Sequence, residues 1–198
     1  MNSFDLYVAI RTQRAIRKFA STQVPPAVLH QILQSATYAP SGGNRQPWAF
    51  VVVTDPAIRD QLSNLYEQGA LERRAAVSPQ APVPAPGSLR APEAPVYIVA
   101  CIDTENSPTG MVRGAHIYPA VQNLMLAARG LGLGSVITTL HKRREAQVKR
   151  LLAIPDEFET ACMIPLGYPH EDVHFGGSRR RPISEVVFSD RWGTEWPT

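Results

Sequence analysis

Residues 39–48, which read APSGGNRQPW, join a helix-like segment to a strand-like segment. An ordinary turn needs about one glycine and one proline, whereas this loop holds two of each. It also carries four side chains that form hydrogen bonds, namely Ser41, Asn44, Arg45 and Gln46. Small residues and amides together let a backbone approach a flat, polar partner closely. We therefore predict that this loop belongs to a binding site.

The segments around this loop predict an α+β domain of helices packed around a small sheet. Before it, Pro25-Pro26 opens a helix with apolar residues at helical spacing, which Pro40 ends. After it, residues 48–54 (WAFVVVT) are typical of a strand buried on both faces. Further helices are predicted over residues 4–14 (with Ser3 as N-cap), 55–76, 111–130 and 141–153, and further strands over 94–102, 133–140, 158–167 and 183–188.

Residues 77–95 interrupt this pattern with six prolines, a density that no helix or strand tolerates. We predict an irregular excursion over the surface, because a long structureless segment in one domain is typical of a lid or a mobile loop. The chain is otherwise predicted as one domain over 1–198, with 183–198 as a C-terminal extension. The helix over 111–130 is apolar on most faces, which indicates deep burial or a subunit interface. Pro119 either begins its regular part or kinks it.

Composition restricts the classes of function. The chain has 198 residues, of which 44% are hydrophobic, so it can bury a core without disulfide or metal staples. Its net charge of only +3 does not favour nucleic-acid binding. Cys101 and Cys162 each lie in an apolar, strand-like run, so we expect buried, reduced thiols. Neither a signal-peptide core nor a membrane-spanning run is present, which predicts a cytoplasmic protein without membrane contact.

Two groups of arginines are candidate anion ligands. Arg14 and Arg17 are three residues apart, which on a helix would place them side by side as a fork for a phosphate or carboxylate. Arg179, Arg180 and Arg181 lie between a glycine pair and Pro182, in a short, shaped loop. The alternative for both groups is a solvated basic surface.

The rest of the chain offers no acid–base machinery. The glycines of Gly130-Leu131-Gly132-Leu133-Gly134 end a helix and lead into a strand, the reverse of a dinucleotide loop. That strand ends at Ile137-Thr138-Thr139, which suits the polar edge of a heterocycle. The five histidines have no metal-ligand spacing, so no metal site is predicted. Anion ligands and a polar loop without a nucleophile are what a protein needs when a cofactor carries the reaction.

Five stretches, taken together and in order, resemble the FMN-dependent nitroreductase family. The match runs from about residue 8 to 187, which is nearly the whole chain. The five stretches read RAIRKF (14–19), PSGGNRQPW (40–48), VQNLMLAARGLGLG (121–134), IPLGYP (164–169) and RRP (180–182).

The resemblance implies a nitroreductase-like three-layer sandwich, in which helices flank a small mixed sheet with antiparallel strands, and an intertwined homodimer. It implies FMN at the subunit interface, held by both chains. The family's N-terminal motif is usually Arg-Arg-Ser-x-Arg, whereas residues 13–17 read QRAIR, so Ala15 cannot supply the usual side-chain hydrogen bond. The implied FMN-binding residues are Gln13, Arg14, Ala15 and Arg17; Pro40, Ser41, Gly42, Asn44 and Gln46 from the partner chain; Ile137, Thr138 and Thr139 on the flavin N5 side; and Arg179, Arg180 and Arg181 at the phosphate.

The implied activity is ping-pong reduction of nitroaromatic or quinone-like acceptors, with NAD(P)H as co-substrate and hydride transfer through flavin N5. No protein residue is expected to be catalytic, since the flavin carries the chemistry. The same scaffold is similar to flavin-dependent dehalogenases of the iodotyrosine type and to deazaflavin-linked reductases. A non-enzymatic FMN-binding protein is the remaining alternative.

Overall fold

The computed structural model describes residues 4–197, which contain five α-helices and four strands. The helices are α1 (Leu6–Thr12), α2 (Pro26–Thr37), α3 (Pro56–Val77), α4 (Met111–Gly130) and α5 (Glu145–Leu152). The strands are β1 (Trp48–Val53), β2 (Val96–Asp103), β3 (Gly134–Ser135) and β4 (Phe158–Gly167). Short 3₁₀ turns lie at Gly42–Asn44, Leu140–Arg144 and Ile183–Glu185. None of these helices is both long enough and apolar enough to cross a lipid bilayer.

The four strands form one antiparallel sheet in the order β1-β2-β4-β3. Alternate residues of β2 enter opposite cores: Ile98 packs with α2 and α4, and Val99 packs with α3 and α5. Helices therefore cover both faces, which makes the α+β three-layer arrangement that the family resemblance implies. This two-sided burial explains why β2 and β4 are almost continuously apolar.

β1 differs from its prediction. Its first five residues are only half-buried, whereas the sequence predicts a strand buried on both faces. The cause is position, because β1 is an edge strand that pairs with β2 alone. An apolar run does not by itself distinguish an edge strand from a central one.

The predicted N-terminal helix is too long at its end. α1 ends at Thr12, and Gln13 is already extended (φ −61°, ψ 130°). The N-cap is Asp5, whose Oδ1 accepts a 2.9 Å hydrogen bond from the Val8 amide; the predicted cap, Ser3, lies outside the described residues. The helix stops because the following residues join the edge of the sheet, where the Ile16 amide donates to the Ser135 carbonyl at 3.0 Å.

Two predicted strands are also wrong. In 133–140 only Gly134–Ser135 is strand, with one bridge from Thr138 to Met163, and a 3₁₀ turn over Leu140–Arg144 occupies the start of the predicted fifth helix. In 183–188, Ile183–Glu185 is a 3₁₀ turn after Pro182, and the tail then folds back on itself. α4, by contrast, begins at Met111 as predicted, with Pro119 inside it.

The proline-rich segment lies against α3. The Gly87 amide donates to Glu67 at 2.7 Å, and Arg90 forms a 2.5 Å ion pair with Asp60. Arg90 also donates to the buried Ser63 hydroxyl at 3.2 Å. Residues 78–95 form no helix or strand, as predicted. These contacts fasten the segment to one helix, so its path along the surface is defined.

Candidate functional site

The N-terminal segment after α1 runs antiparallel to the segment that follows β4. Four hydrogen bonds connect them in one constant register, and Phe19 bridges to Pro169. The bonds are Gly176 N to Thr12 O (2.7 Å), Arg14 Nε to His174 O (2.8 Å), His170 N to Lys18 O (3.1 Å) and Ala20 N to Tyr168 O (2.8 Å). Arg14 and Arg17 therefore lie on one of two paired segments, and the other segment is paired as far as Gly176, three residues before Arg179.

Arg14 and Arg17 do not lie on a helix, so the predicted side-by-side fork is wrong. Between them, Ala15 forms a parallel bridge with Ser135, and Ile16 is buried. Side chains alternate between the two sides of an extended chain. Two residues three positions apart therefore point to different sides, and the two guanidiniums are available to different parts of a ligand.

The two positions that depart from the family motif differ in their surroundings. The Gln13 amide lies 3.9 Å from the Met125 sulfur on α4, a weak contact that directs its side chain towards that helix. Ala15 is exposed and adds no donor. Of the segment 13–17, the two arginines are thus the strong candidate ligands.

Arg179, Arg180 and Arg181 are exposed. Arg179 is three residues beyond Gly176, which is tied to Thr12, so it lies within about 11 Å of Gly176. Within residues 4–197, none of these three guanidiniums forms an ion pair with a carboxylate. The same holds for Arg14 and Arg17. Within the described residues, the charge of these five guanidiniums is therefore not neutralised by an ion pair.

The segment Ile137-Thr138-Thr139 has one anchored residue between two exposed ones. Thr138 exchanges two 2.9 Å backbone hydrogen bonds with Met163, and its hydroxyl donates to the Tyr66 hydroxyl at 3.2 Å. Ile137 and Thr139 are exposed. Thr138 therefore holds the segment in place, and Thr139 is the more exposed of the two threonines.

The loop over residues 40–46 is shaped by its backbone. Gly43, Asn44 and Gln46 all have positive φ (60°, 54° and 50°). The Ser41 hydroxyl accepts from the Gln46 amide at 2.9 Å, and the Gln46 side chain donates to Asn44 Oδ1 at 3.3 Å. Pro40 and Gly42 are exposed. Several of the predicted ligands thus form the loop's own framework.

This loop and the N-terminal arginines lie at opposite ends of α4. At one end, the Gly42 amide donates to His116 at 3.3 Å. At the other, Arg129 donates to the Thr12 hydroxyl at 2.8 Å and stacks 4.0 Å above the Phe175 ring. Thirteen residues of helix separate His116 from Arg129, or about 20 Å. One chain therefore does not bring its own loop and its own arginines together.

The clefts of a single chain lie elsewhere. One of about 550 Å³ lies between α3 and the proline-rich segment, and one of about 570 Å³ lies between the start of α4 and β4. Neither contains a predicted FMN-binding residue. A single chain thus leaves the predicted site open.

A buried polar network that the sequence analysis missed lies directly after the Ile137–Thr139 segment. Glu145 Oε1 accepts from both the amide and the hydroxyl of Thr160, at 2.7 and 2.8 Å, and Lys142 donates to its other oxygen at 2.7 Å. Because the Thr160 hydroxyl is used as a donor, His141 Nε2 must donate to it, at 3.2 Å. His141 Nδ1 is left without a partner among the described residues.

The surroundings of this network set its protonation. Burial lowers the pKa of His141 to about 4, so the imidazole is neutral at pH 7. Burial acts to raise the pKa of Glu145, but the hydrogen bonds from Lys142 and Thr160 outweigh it, and the pKa is lowered. The two thiols are free and buried, as predicted, and burial raises the pKa of Cys101 and of Cys162 to about 12. They are therefore protonated and unreactive at pH 7.

Comparison with known proteins now identifies the family. The model of the nitroreductase family matches residues 10–168. The chain belongs to the nitroreductase family. A relative in Methanothermobacter thermautotrophicus, named as a candidate NADH dehydrogenase/NAD(P)H nitroreductase, is 32% identical over 196 residues, which cover 97% of this chain and 90% of the relative. The resemblance found in the sequence is confirmed.

Solved structures of nitroreductase-like proteins agree with the fold. A candidate nitroreductase from Desulfovibrio desulfuricans, in complex with FMN, is 27% identical with a TM-score of 0.73, over 96% of this chain and 99% of that one. An iodotyrosine deiodinase bound to FMN and 3-iodo-L-tyrosine is 25% identical with a TM-score of 0.74, over 94% and 99%. The α+β nitroreductase fold is thereby confirmed, and FMN is a ligand of both of these neighbours.

Proposed function

We propose that this nitroreductase-family protein is an FMN-dependent oxidoreductase that uses NAD(P)H to reduce small, electron-poor aromatic acceptors such as nitroaromatics and quinones. The observation that carries the proposal is a group of arginines without carboxylate partners. Arg14 and Arg17 lie on one of two paired segments, and Arg179–181 follow shortly after the other. A phosphate dianion is the group that such an arrangement binds best, by charge-assisted hydrogen bonds.

The residues present fit FMN. The glycines and positive-φ residues of the 40–46 loop expose backbone for close contact with a flat ring. Thr139 is exposed in the segment expected on the N5 side, and Thr138 holds that segment through its bonds to Met163 and Tyr66. FMN, when bound, supplies the hydride exchange between NAD(P)H and the acceptor. The chain's own groups bind the phosphate and orient the ring, and none is required as a nucleophile.

The site is proposed to be completed by a second copy of the chain. The separation of about 20 Å between the loop and the N-terminal arginines along α4 supports this arrangement. A partner is also favoured by large apolar side chains that are exposed at the start of α4 and on α1. They include Met111 (94% exposed), Tyr7 (77%), Leu6 (60%), Val112 (57%) and Ile10 (53%). Burying such side chains in a dimer is favourable, at about 25 cal/mol per Å².

The decisive experiment is spectroscopic. We expect protein purified with FMN to retain one flavin per chain after gel filtration, to elute as a dimer, and to lose its visible absorbance when NADPH or NADH is added without oxygen. Steady-state rates with a quinone should give parallel double-reciprocal lines. Retained FMN that no nicotinamide reduces, but reduced deazaflavin does, would indicate a deazaflavin-linked enzyme, and FMN that neither donor reduces would indicate a binding protein. No FMN binding would refute the proposal.

A second candidate function is reductive dehalogenation. It is favoured by the iodotyrosine deiodinase structure, which is 25% identical and matches this chain over nearly its whole length. The same reduced protein separates the two. Release of iodide from 3-iodo-L-tyrosine, with slow reduction of nitroaromatic and quinone acceptors, would favour the dehalogenase. The opposite ranking of rates would support the acceptor reductase.

A further inference from the structure

The 40–46 loop is held to the rest of the protein at one point near its tip. Within the loop, Asn44 N donates to Ser41 O at 2.9 Å, and Gln46 N donates to the Ser41 hydroxyl at 2.9 Å. These bonds shape the loop but do not fasten it. Among the hydrogen bonds within residues 4–197, the one from the Gly42 amide to His116 Nδ1 ties residues 41–46 to another element.

His116 is suited to this task by its position. It lies on α4 beside the buried Ile117, and only 7% of its surface is exposed. A core helix thus holds the imidazole still. Because the Gly42 amide is the donor, Nδ1 must be unprotonated, and the ring hydrogen lies on Nε2.

Gly42 fits against the ring with no spare room. A β-carbon at Gly42 would lie 2.7 Å from Cε1 of His116 and 3.3 Å from its Nε2. The φ of Gly42 is outside the left-handed region, so alanine is compatible with the backbone there. Contact with His116, rather than backbone strain, therefore explains why this position suits glycine.

From these contacts the geometry points to His116 as the positioning residue of the flavin-contacting loop. Its Nδ1 holds the Gly42 amide, and its ring face fixes how closely the loop packs on α4, so that the exposed backbone of residues 42–44 is presented in one arrangement. This inference rests on the proposed function, in which that backbone contacts FMN. His116 acts through the loop and does not touch the reacting atoms.

The test compares substitutions that separate acceptor from ring. His116→Phe keeps a ring and removes the acceptor, whereas His116→Asn offers an amide oxygen near the place of Nδ1. We expect His116→Phe to raise the FMN dissociation constant about threefold to tenfold, the range of one lost hydrogen bond. His116→Asn should restore most of the affinity. His30→Phe, at an exposed histidine of α2, is the matched control and should change nothing.

Two further measurements separate this inference from the proposed function. Hydrogen exchange of the Gly42 amide in the FMN-free protein reports on the loop alone, and it should quicken in His116→Phe and return in His116→Asn. Gly42→Ala should weaken FMN binding in the wild-type background but add nothing in a His116→Ala background, where the contact is gone.

The outcomes divide cleanly. Unchanged Gly42 exchange in His116→Phe would overturn the anchor itself, as would an equal cost of Gly42→Ala in both backgrounds. Faster exchange with unchanged FMN affinity would overturn the connection between the loop and the flavin. Wild-type protein that binds no FMN would instead refute the proposed function, while the exchange data would still report whether His116 holds the loop.

Discussion

Two basic triplets in this chain look alike in the sequence and have opposite surroundings in the fold. Lys142-Arg143-Arg144 lies in a 3₁₀ turn, where Lys142 pairs with Glu145 at 2.7 Å and Arg144 pairs with Glu72. Arg179-Arg180-Arg181 is exposed and meets no carboxylate within the described residues. The comparison teaches that a basic run stabilises the fold where carboxylates are supplied to it. Where none is supplied, its charge remains available to an external anion.

The largest expected effect is on FMN affinity, and it tests the arginines that have no carboxylate partner. Replacing Arg14 and Arg17 together by alanine should raise the FMN dissociation constant about a hundredfold to ten-thousandfold, because each charged hydrogen bond contributes about 1.5–3 kcal/mol. Fluorescence titration of FMN measures this. The FMN-free protein should lose only about 0.5–1.5 kcal/mol of stability, because Arg14 Nε no longer donates to the His174 carbonyl.

The matched control removes the same charge from other positions. Arg143→Ala with Arg150→Ala also removes two exposed arginines, so a general loss of electrostatic attraction would weaken FMN binding equally in both double variants. Equal losses would contradict the assignment of Arg14 and Arg17 to the FMN site.

The next effect is on the pH dependence of stability, and it concerns His141, which directly precedes the Lys142-Arg143-Arg144 triplet. The unfolded chain binds a proton there at about pH 6.5, whereas the folded protein binds it only near pH 4, since burial lowers the pKa of His141 to about 4. Between these values the unfolded state holds more protons. The free energy of unfolding should therefore fall by up to about 3 kcal/mol as the pH decreases from 6.5 to 4.

Urea unfolding at several pH values checks this expectation. His141→Gln keeps a donor for Thr160 but does not titrate, so its stability should be flatter over this range. His30→Gln, at an exposed position, should retain the wild-type slope. A parallel slope in His141→Gln would show that another group is responsible.

The smallest expected effect is on stability, and it tests the ion pairs of the Lys142-Arg143-Arg144 triplet. Arg144→Ala breaks the ion pair with Glu72, whose partners are 31% and 40% exposed, so screening by solvent limits the loss of stability to about 0–1 kcal/mol. FMN affinity should not change. A marked drop in FMN affinity would mean that the paired triplet also binds the anion, and the contrast between the two triplets would then fail.

Local pattern was sufficient to predict much of the fold. β2 and β4 were predicted because burial on both faces makes their apolar runs almost continuous, and α3 because Asp55 and Pro56 mark its start. Of the predicted strand over 133–140, only Gly134–Ser135 and a bridge at Thr138 pair with β4, and a 3₁₀ turn begins at Leu140. The local pattern also gave no sign that Ile16, from the N-terminal segment, packs on Gly134, where a β-carbon would lie 2.7 Å from its Cγ2.

The sequence predicted which residues belong to the candidate site better than it predicted how they are arranged. The motifs indicated Arg14 and Arg17, but helical spacing gave the wrong relation between them, because Ile16 and Ser135 pair across more than a hundred residues. His116 was missed since its partner, Gly42, is 74 positions away. The sequence signal for the His141 network was also weak, because it consists only of Glu145, four residues later, and Thr160 on β4.

The position of the 40–46 loop and the N-terminal arginines at opposite ends of α4 predicts how two mutant alleles would interact. In the proposed dimer the two ends of α4 serve flavin sites of different subunits, so a substitution at the loop end would impair the site that holds the partner's arginines. Chains carrying Arg14→Ala and Arg17→Ala, mixed with chains carrying His116→Phe, would form hybrids with one doubly impaired site and one wholly wild-type site. Two defective alleles would thereby complement each other, which no site contained within one polypeptide allows.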